Sequence, residues 1–123
     1  MSHENCIFCK IAAGQIPGKR VFEDDQLIVI HDINPAAKLH LLVIPRRHIE
    51  TLADCRLENP ADQALLGRML ALAPNLAREQ GHGYADGAGG FRVVINTGPD
   101  GGQEVYHLHM HVLAGPRPWK RMG

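Results

Sequence analysis

The sequence is short of cysteine, with three in 123 residues. An odd, small number argues against the disulfide framework of small secreted domains. There is no excess of charge of either sign: 13 Lys plus Arg stand against 13 Asp plus Glu. A balanced chain has no general electrostatic reason to hold nucleic acid or an acidic membrane, so any anion it binds must be held locally. No apolar run approaches the ~20 residues that cross a bilayer. Met1-Ser2-His3-Glu4-Asn5 has no cationic stretch leading into an apolar one, so no secretory leader is expected. The expectation is a cytoplasmic chain without a nucleic-acid or membrane partner. No repeat of 20 to 50 residues and no linker is visible. Residues 1–123 are expected to form one domain, with 116–123 as a short tail.

What is present reads as alternating short elements. Residues 6–13, CIFCKIAA, predict a short helix that Gly14 ends. Residues 20–24 and 27–31 predict two strands, with Asp24-Asp25 turning between them. Residues 40–44, HLLVI, predict a third strand ended by Pro45. Residues 60–80 predict the long helix, with Asn59 as N-cap, Pro60 in the first turn and Gly81 as the stop. Leu65, Met69, Leu72 and Leu76 form its apolar stripe, and Pro74 should kink it. Strands are expected over 91–96 and 105–113, with loops at 81–90 and 98–102. The order predicts a mainly antiparallel five-stranded sheet with one long and one short helix, an α+β fold.

The chemistry concentrates in Tyr106 to Leu113, which alternates strictly. In a strand, His107, His109 and His111 share one face and Tyr106, Leu108, Met110 and Val112 the other. Three aligned imidazoles can attack, donate or relay protons near neutral pH. The plain alternative is a surface strand that happens to be rich in histidine. Another is a catalytic metal held by all three, with Glu104 as base. The segment Asn96 to Glu104 favours a phosphate instead. Its glycines let backbone N–H groups approach an anion, and Asn96 can add an amide. Cys6-Ile7-Phe8-Cys9 has the spacing of half a zinc site or of a redox pair.

The run Gly102-Gln103-Glu104-Val105-Tyr106-His107-Leu108-His109-Met110-His111-Val112 resembles the histidine triad signature. Cys6 to Ile11, Ile16-Pro17, Phe22 to Asp25, His31 to Pro35 and Leu42 to Ile49 are similar to the histidine triad nucleotide-binding branch of that family. The likeness runs from about residue 5 to residue 119. It implies a homodimer whose sheet extends across two copies, binding purine nucleotides and cleaving phosphoramidates such as AMP joined to an amine. By position it implies His109 as nucleophile, forming a nucleotidyl-histidine that water hydrolyses. His111 is expected to donate to a phosphoryl oxygen, and His107 to orient or relay protons. Asn96, Gly102, Gln103 and the backbone around Glu104 are expected to hold phosphate oxygens, and Asp32 the ribose. Phe8, Ile11, Ile16 and Ile33 are expected to line the base pocket. Read without the family, those four are core, and Asp32 is a turn former.

Glu104 stands where the animal proteins carry a serine thought to help the leaving group, and matches a pattern found in bacterial members. Trp119 lies in the tail, which in the family helps choose the leaving group. The cysteine pair departs from many members. The resemblance offers His48 and His107 as further ligands, for a structural zinc held by Cys6, Cys9, His48 and His107. The alternative is a reduced thiol pair. His3, His31, His40 and His82 are expected to be ordinary surface or packing residues. Competing functions are a dinucleoside polyphosphate hydrolase and a nucleotide-binding regulatory protein with little turnover.

Overall fold

The computed structural model describes residues 5–117. Its centre is an antiparallel sheet of β1 (Arg20–Glu23), β2 (Leu27–His31), β3 (Leu39–Pro45), β4 (Phe91–Val94) and β5 (Met110–Ala114). The spatial order is β1-β2-β3-β5-β4. α1 (Ile7–Ala12) precedes the sheet, and α2 (Pro60–Glu79) lies between β3 and β4 in the chain. Five antiparallel strands with one long and one short helix are the predicted α+β fold. Within the expected loop 81–90, Tyr84–Asp86 forms a 3-10 turn.

Alternation along β2 and β3 divides the core between the two faces of the sheet. Leu27, Val29, Leu41 and Val43 join Leu65, Met69 and Leu76 of α2 in one buried cluster. Ile28, Ile30, Leu42 and Ile44 join Phe8 and Ile11 of α1 in another. β3 is buried from end to end, as a central strand covered on both faces must be. Each buried Leu, Ile or Met contributes about 1.5–3 kcal/mol over leaving it exposed.

The turn between β1 and β2 closes as expected: the Asp24 carboxylate accepts from Gln26 N and Leu27 N at 2.8 Å. α2 begins where Asn59 Oδ1 accepts from the backbone of Ala61 at 2.9 Å and Asp62 at 3.3 Å. It runs through Pro74 as one helix, leaving the Leu70 carbonyl without its usual partner.

The last strand differs from expectation. It starts at Met110 rather than at 105. Met110 pairs with Val43 and Val112 with Leu41, and continuing that register sets Leu108 opposite Pro45, which has no N–H to give the ladder. Leu108 N instead donates to Ile49 O at 2.6 Å. Residues 105–109 therefore lie outside the ladder, yet the alternation persists: Leu108, Met110 and Val112 pack in the α2-side cluster, and His107, His109 and His111 lie on the α1 side.

Candidate active site

His111 lies on β5, on the same sheet face as α1, while His107 and His109 precede the strand. The hydrogen bonds assign each ring a tautomer. His109 Nδ1–H donates to the His107 carbonyl at 2.7 Å, so its Nε2 carries a free lone pair. His107 Nε2–H donates to Pro45 O at 2.7 Å, so the ring proton sits on Nε2 and Nδ1 faces its neighbours as an acceptor or ligand. Ala36 N donates to His40 Nδ1 at 3.0 Å, so His40 Nε2–H donates to His111 Nδ1 at 2.8 Å. His111 must then carry its own proton on Nε2. The His109 and His111 rings stand 5.0 Å apart. Burial, then the charges of His109 and His40, push the His111 pKa down to about 4. Burial lowers that of His40 too, with His109 adding to it and Asp32 opposing.

His40, expected to be an ordinary surface or packing residue, instead belongs to the site, bonded to His111. It alternates with Leu42 and Ile44 in HLLVI, and Leu42 pairs with His111. That alternation was the available signal, but using it required knowing that β3 and β5 are neighbours. Asp32 approaches His40 Nε2 at 3.4 Å. Asp32, His40 and His111 cluster tightly enough to suggest a metal. However, the 2.8 Å between the two ring nitrogens is a hydrogen bond, shorter than the roughly 3.3 Å edge of tetrahedral zinc.

His109 and His111 open into a cavity of about 260 Å³ lined also by Phe8, Asp32, Leu42, Asn96, Gly102, Glu104 and Val105. That is close to the lower end of small-molecule pockets, roughly 300–1,000 Å³. Phe8 meets His109 edge to face at 5.0 Å between centroids. Exposed Glu104 stands at the rim. Asp32 Oδ1 accepts from Asn34 N at 2.8 Å, the turn contact foreseen as its plain alternative, while the side chain still borders the cavity.

Several residues expected at the nucleotide are engaged within the protein. Gln103 is buried and spends its amide inside the protein. Its Nε2 donates to Glu50 O at 2.8 Å and Val105 O at 3.0 Å, and its Oε1 accepts from Gly98 N at 3.0 Å. It shapes the loop rather than lining the cavity. Gly102 N and Gln103 N are likewise engaged, by Pro99 O and Gly98 O at 3.1 and 3.0 Å. The loop turns so tightly that a Cβ on Gly101 would sit 2.4 Å from Thr97 O, and Gly102 has φ +81°. Of the four residues expected around a base, Phe8 alone borders the cavity. Ile11 is core and Ile16 packs on the same cluster, while Ile33 is 92% exposed. Trp119 lies outside the described residues.

His107 is fully buried, and its ring faces the cysteines rather than the cavity. Its Nδ1 lies 3.2 Å from Cys6 Sγ, 3.6 Å from Cys9 Sγ and 3.2 Å from His48 Nδ1. Cys9 Sγ lies 3.3 Å from His48 Nδ1. Four ligand atoms around tetrahedral zinc stand roughly 3.3–3.8 Å apart, so the spacing fits. The Pro45 carbonyl on Nε2 is the outer support a ligating histidine uses. Burial and the adjacent Cys6 push the Cys9 thiol up to about 11, and a divalent cation among these donors is what favours their thiolates.

Residues 5–123 match the family model described as "Scavenger mRNA decapping enzyme C-term binding". The chain is 49% identical over 113 residues to Protein HitA of Neisseria gonorrhoeae, covering 92% of this chain and 98% of that one. It is 43% identical over 112 residues to the purine nucleoside phosphoramidase of Escherichia coli K12, covering 91% and 88%. The HIT family hydrolase of Legionella pneumophila Philadelphia 1 superposes with a TM-score of 0.82 at 45% identity, covering 92% of this chain and 95% of that one. With its antiparallel sheet and its His109–His111 cavity, this chain belongs to the histidine triad (HIT) family of hydrolases.

Proposed function

We propose that this protein is a purine nucleotide-binding hydrolase that cleaves nucleoside 5′-phosphoramidates through a covalent nucleotidyl-His109 intermediate. The observation that carries this reading is the hydrogen bond from His109 Nδ1–H to the His107 carbonyl, 2.7 Å long. It leaves Nε2 as a lone pair beside the Nε2–H of His111, in a cavity sized for part of a nucleotide. A phosphoramidase relative at 43% identity supports the substrate class.

In this reading His109 Nε2 attacks the α-phosphorus while the bond to the amine nitrogen breaks. His111 Nε2–H donates to a non-bridging oxygen as charge develops there. The Asn96 amide and the backbone around Glu104 hold the other oxygens. Gly102 gives the loop its shape, and Gln103 braces it from inside. The Glu104 carboxyl gives a proton to the leaving amine and takes one back from the water that attacks in the second step. Water then attacks the same phosphorus and breaks its bond to His109, restoring the free ring. Asp32 accepts from the ribose, and Phe8 flanks the base. Ile11 and Ile16 support Phe8 from the core, Ile33 contacts the nucleotide from outside the cavity, and Trp119 is a further nucleotide contact.

Cys6, Cys9, His48 and His107 would hold zinc. Four protein ligands leave no open position, so the zinc supplies a structural cross-link and no Lewis-acid step. His107 thus serves zinc through its ring and His109 through its carbonyl. We further take residues 1–123 as one cytoplasmic domain that acts as a homodimer. The test is His109→Ala against an AMP–amine substrate. Loss of all but about 10⁻³ of the wild-type rate is expected for removal of the nucleophile. Retention of most turnover would refute the assignment.

A further inference from the structure

The cysteine cluster and the cavity share α1. Cys6 caps that helix and Cys9 lies in its first turn, with the Cys9 N–H 3.3 Å from Cys6 Sγ. Phe8, between them in the chain, leaves the cluster and lies edge-on to both His107 and His109, at 5.9 and 5.0 Å between centroids. The far end of α1 is tied separately: Arg20 donates to Ile11 O at 2.6 Å, and Arg46 to Ala12 O at 3.1 Å. The near end is held by the contacts of Cys6 and Cys9 with His48 and His107. The His107 carbonyl in turn fixes the tautomer of His109. One cluster therefore anchors both a wall of the cavity and the ring that attacks.

Two of its four ligands are thiols separated by one helical turn, and both are only part-buried. Their sulfurs lie within 4.8 Å of each other, and closing to a disulfide requires about 2.05 Å. We propose that Cys6 and Cys9 form a peroxide-sensitive latch on the nucleotide site. Two-electron oxidation of the pair to a disulfide removes both thiolate ligands, frees the near end of α1 and disorders the Phe8–His107–His109 contacts. In the balanced step the two zinc-bound thiolates and one hydrogen peroxide, with two protons, give one disulfide and two waters, and zinc is released. Reduction by a dithiol with zinc present reverses it. The proposal rests on the function argued above for the identity of the ligand, but not for the coupling itself.

The experiment uses the full, zinc-loaded chain carrying Cys55→Ser, so that only one thiol pair is present. Hydrogen peroxide is added, and four quantities are followed: the 2 Da mass loss of the disulfide, zinc captured by a chromogenic chelator, AMP affinity by calorimetry, and the ring ¹⁵N signals of His109. Zinc is expected to appear one-for-one with the disulfide. AMP affinity should fall about 10-fold or more, on the scale seen when supporting partners are lost, and the His109 signals should broaden into a tautomer mixture. Dithiothreitol plus zinc should restore all four. Cys9→Ser, which cannot close the disulfide, should bind AMP weakly from the start and respond to peroxide no further. A disulfide that forms with AMP affinity and His109 signals unchanged overturns the latch, as does failure of the reduced protein to bind zinc. Failure of the reduced, zinc-loaded protein to bind AMP before any oxidant is added counts instead against the proposed function.

Discussion

At the residue scale, the histidines differ by what each ring's second nitrogen is doing. His109 gives its Nδ1 proton to a carbonyl, and His111 receives one from His40 at 2.8 Å. Removing His40 should therefore leave His111 present but unoriented. His40→Ala is expected to lower kcat by up to about 100-fold, the loss typical of one transition-state donor, while AMP affinity changes little. A kcat equal to wild type would show that His111 orients itself. His111 also predicts an acid limb of stability. Its folded pKa, about 4, lies below the ordinary 6.5. As pH falls through 6.5 the unfolded chain takes up the proton first, so stability is lost between about 6.5 and 4. His111→Asn should lose less stability than wild type between pH 7.5 and 4.5 in urea titrations. Equal losses would remove His111 from the account.

Reading these roles from sequence alone was possible only in part. The alternation of 106–113 announced three histidines near one another, and they are near one another. It could not announce that Pro45 stops the ladder at the partner strand and sends His107 toward the cysteines. That depends on the β3–β5 register, which no local pattern carries. His40 was hidden for the same reason, and the residue type of Gln103 does not reveal that Glu50 O and Val105 O hold its amide.

At the element scale the local chemistry was more legible. The α2 N-cap, the Asp24 turn and the stripe of Leu65, Met69 and Leu76 stand where capping, turn and periodicity rules put them. Asn59 satisfies two of the otherwise unpaired N–H groups of α2. Asn59→Ala should cost about 1 kcal/mol, measured as a lower urea midpoint at unchanged slope. No change in midpoint would mean that the cap is replaced by water or by a neighbour. Beside it, the Arg56 backbone N–H and the Arg47 side chain hold the buried Asp62 carboxyl at 2.8 and 2.5 Å and lower its pKa. Helix start and β3 exit are thereby joined through one acid.

At the scale of the whole molecule the two sheet edges differ. The β1 edge carries Arg20 and Glu23, with the Glu23 carboxylate held by both Arg20 and Arg46, and charged edges resist pairing. The β4 edge, Phe91–Val94, includes Phe91 at 37% exposure and borders a cleft of about 500 Å³ with Leu113 and Arg117. We therefore place the proposed homodimer along β4, extending the sheet into a second copy. Sedimentation should give twice the chain mass, and Phe91→Glu should return it to one. A wild-type mass of one chain would contradict the extension.

The central claim is that His109 forms a bond to phosphorus. Rapid quench in alkaline denaturant, which preserves a phosphorus–nitrogen bond that acid would cleave, during turnover of an AMP–amine substrate, followed by peptide mass spectrometry at neutral to alkaline pH, tests it directly. The predicted result is an AMP adduct on His109 that forms and decays within the catalytic cycle and is absent from His109→Ala. Turnover with no adduct on His109, or an adduct on His107 or His111 instead, would contradict it.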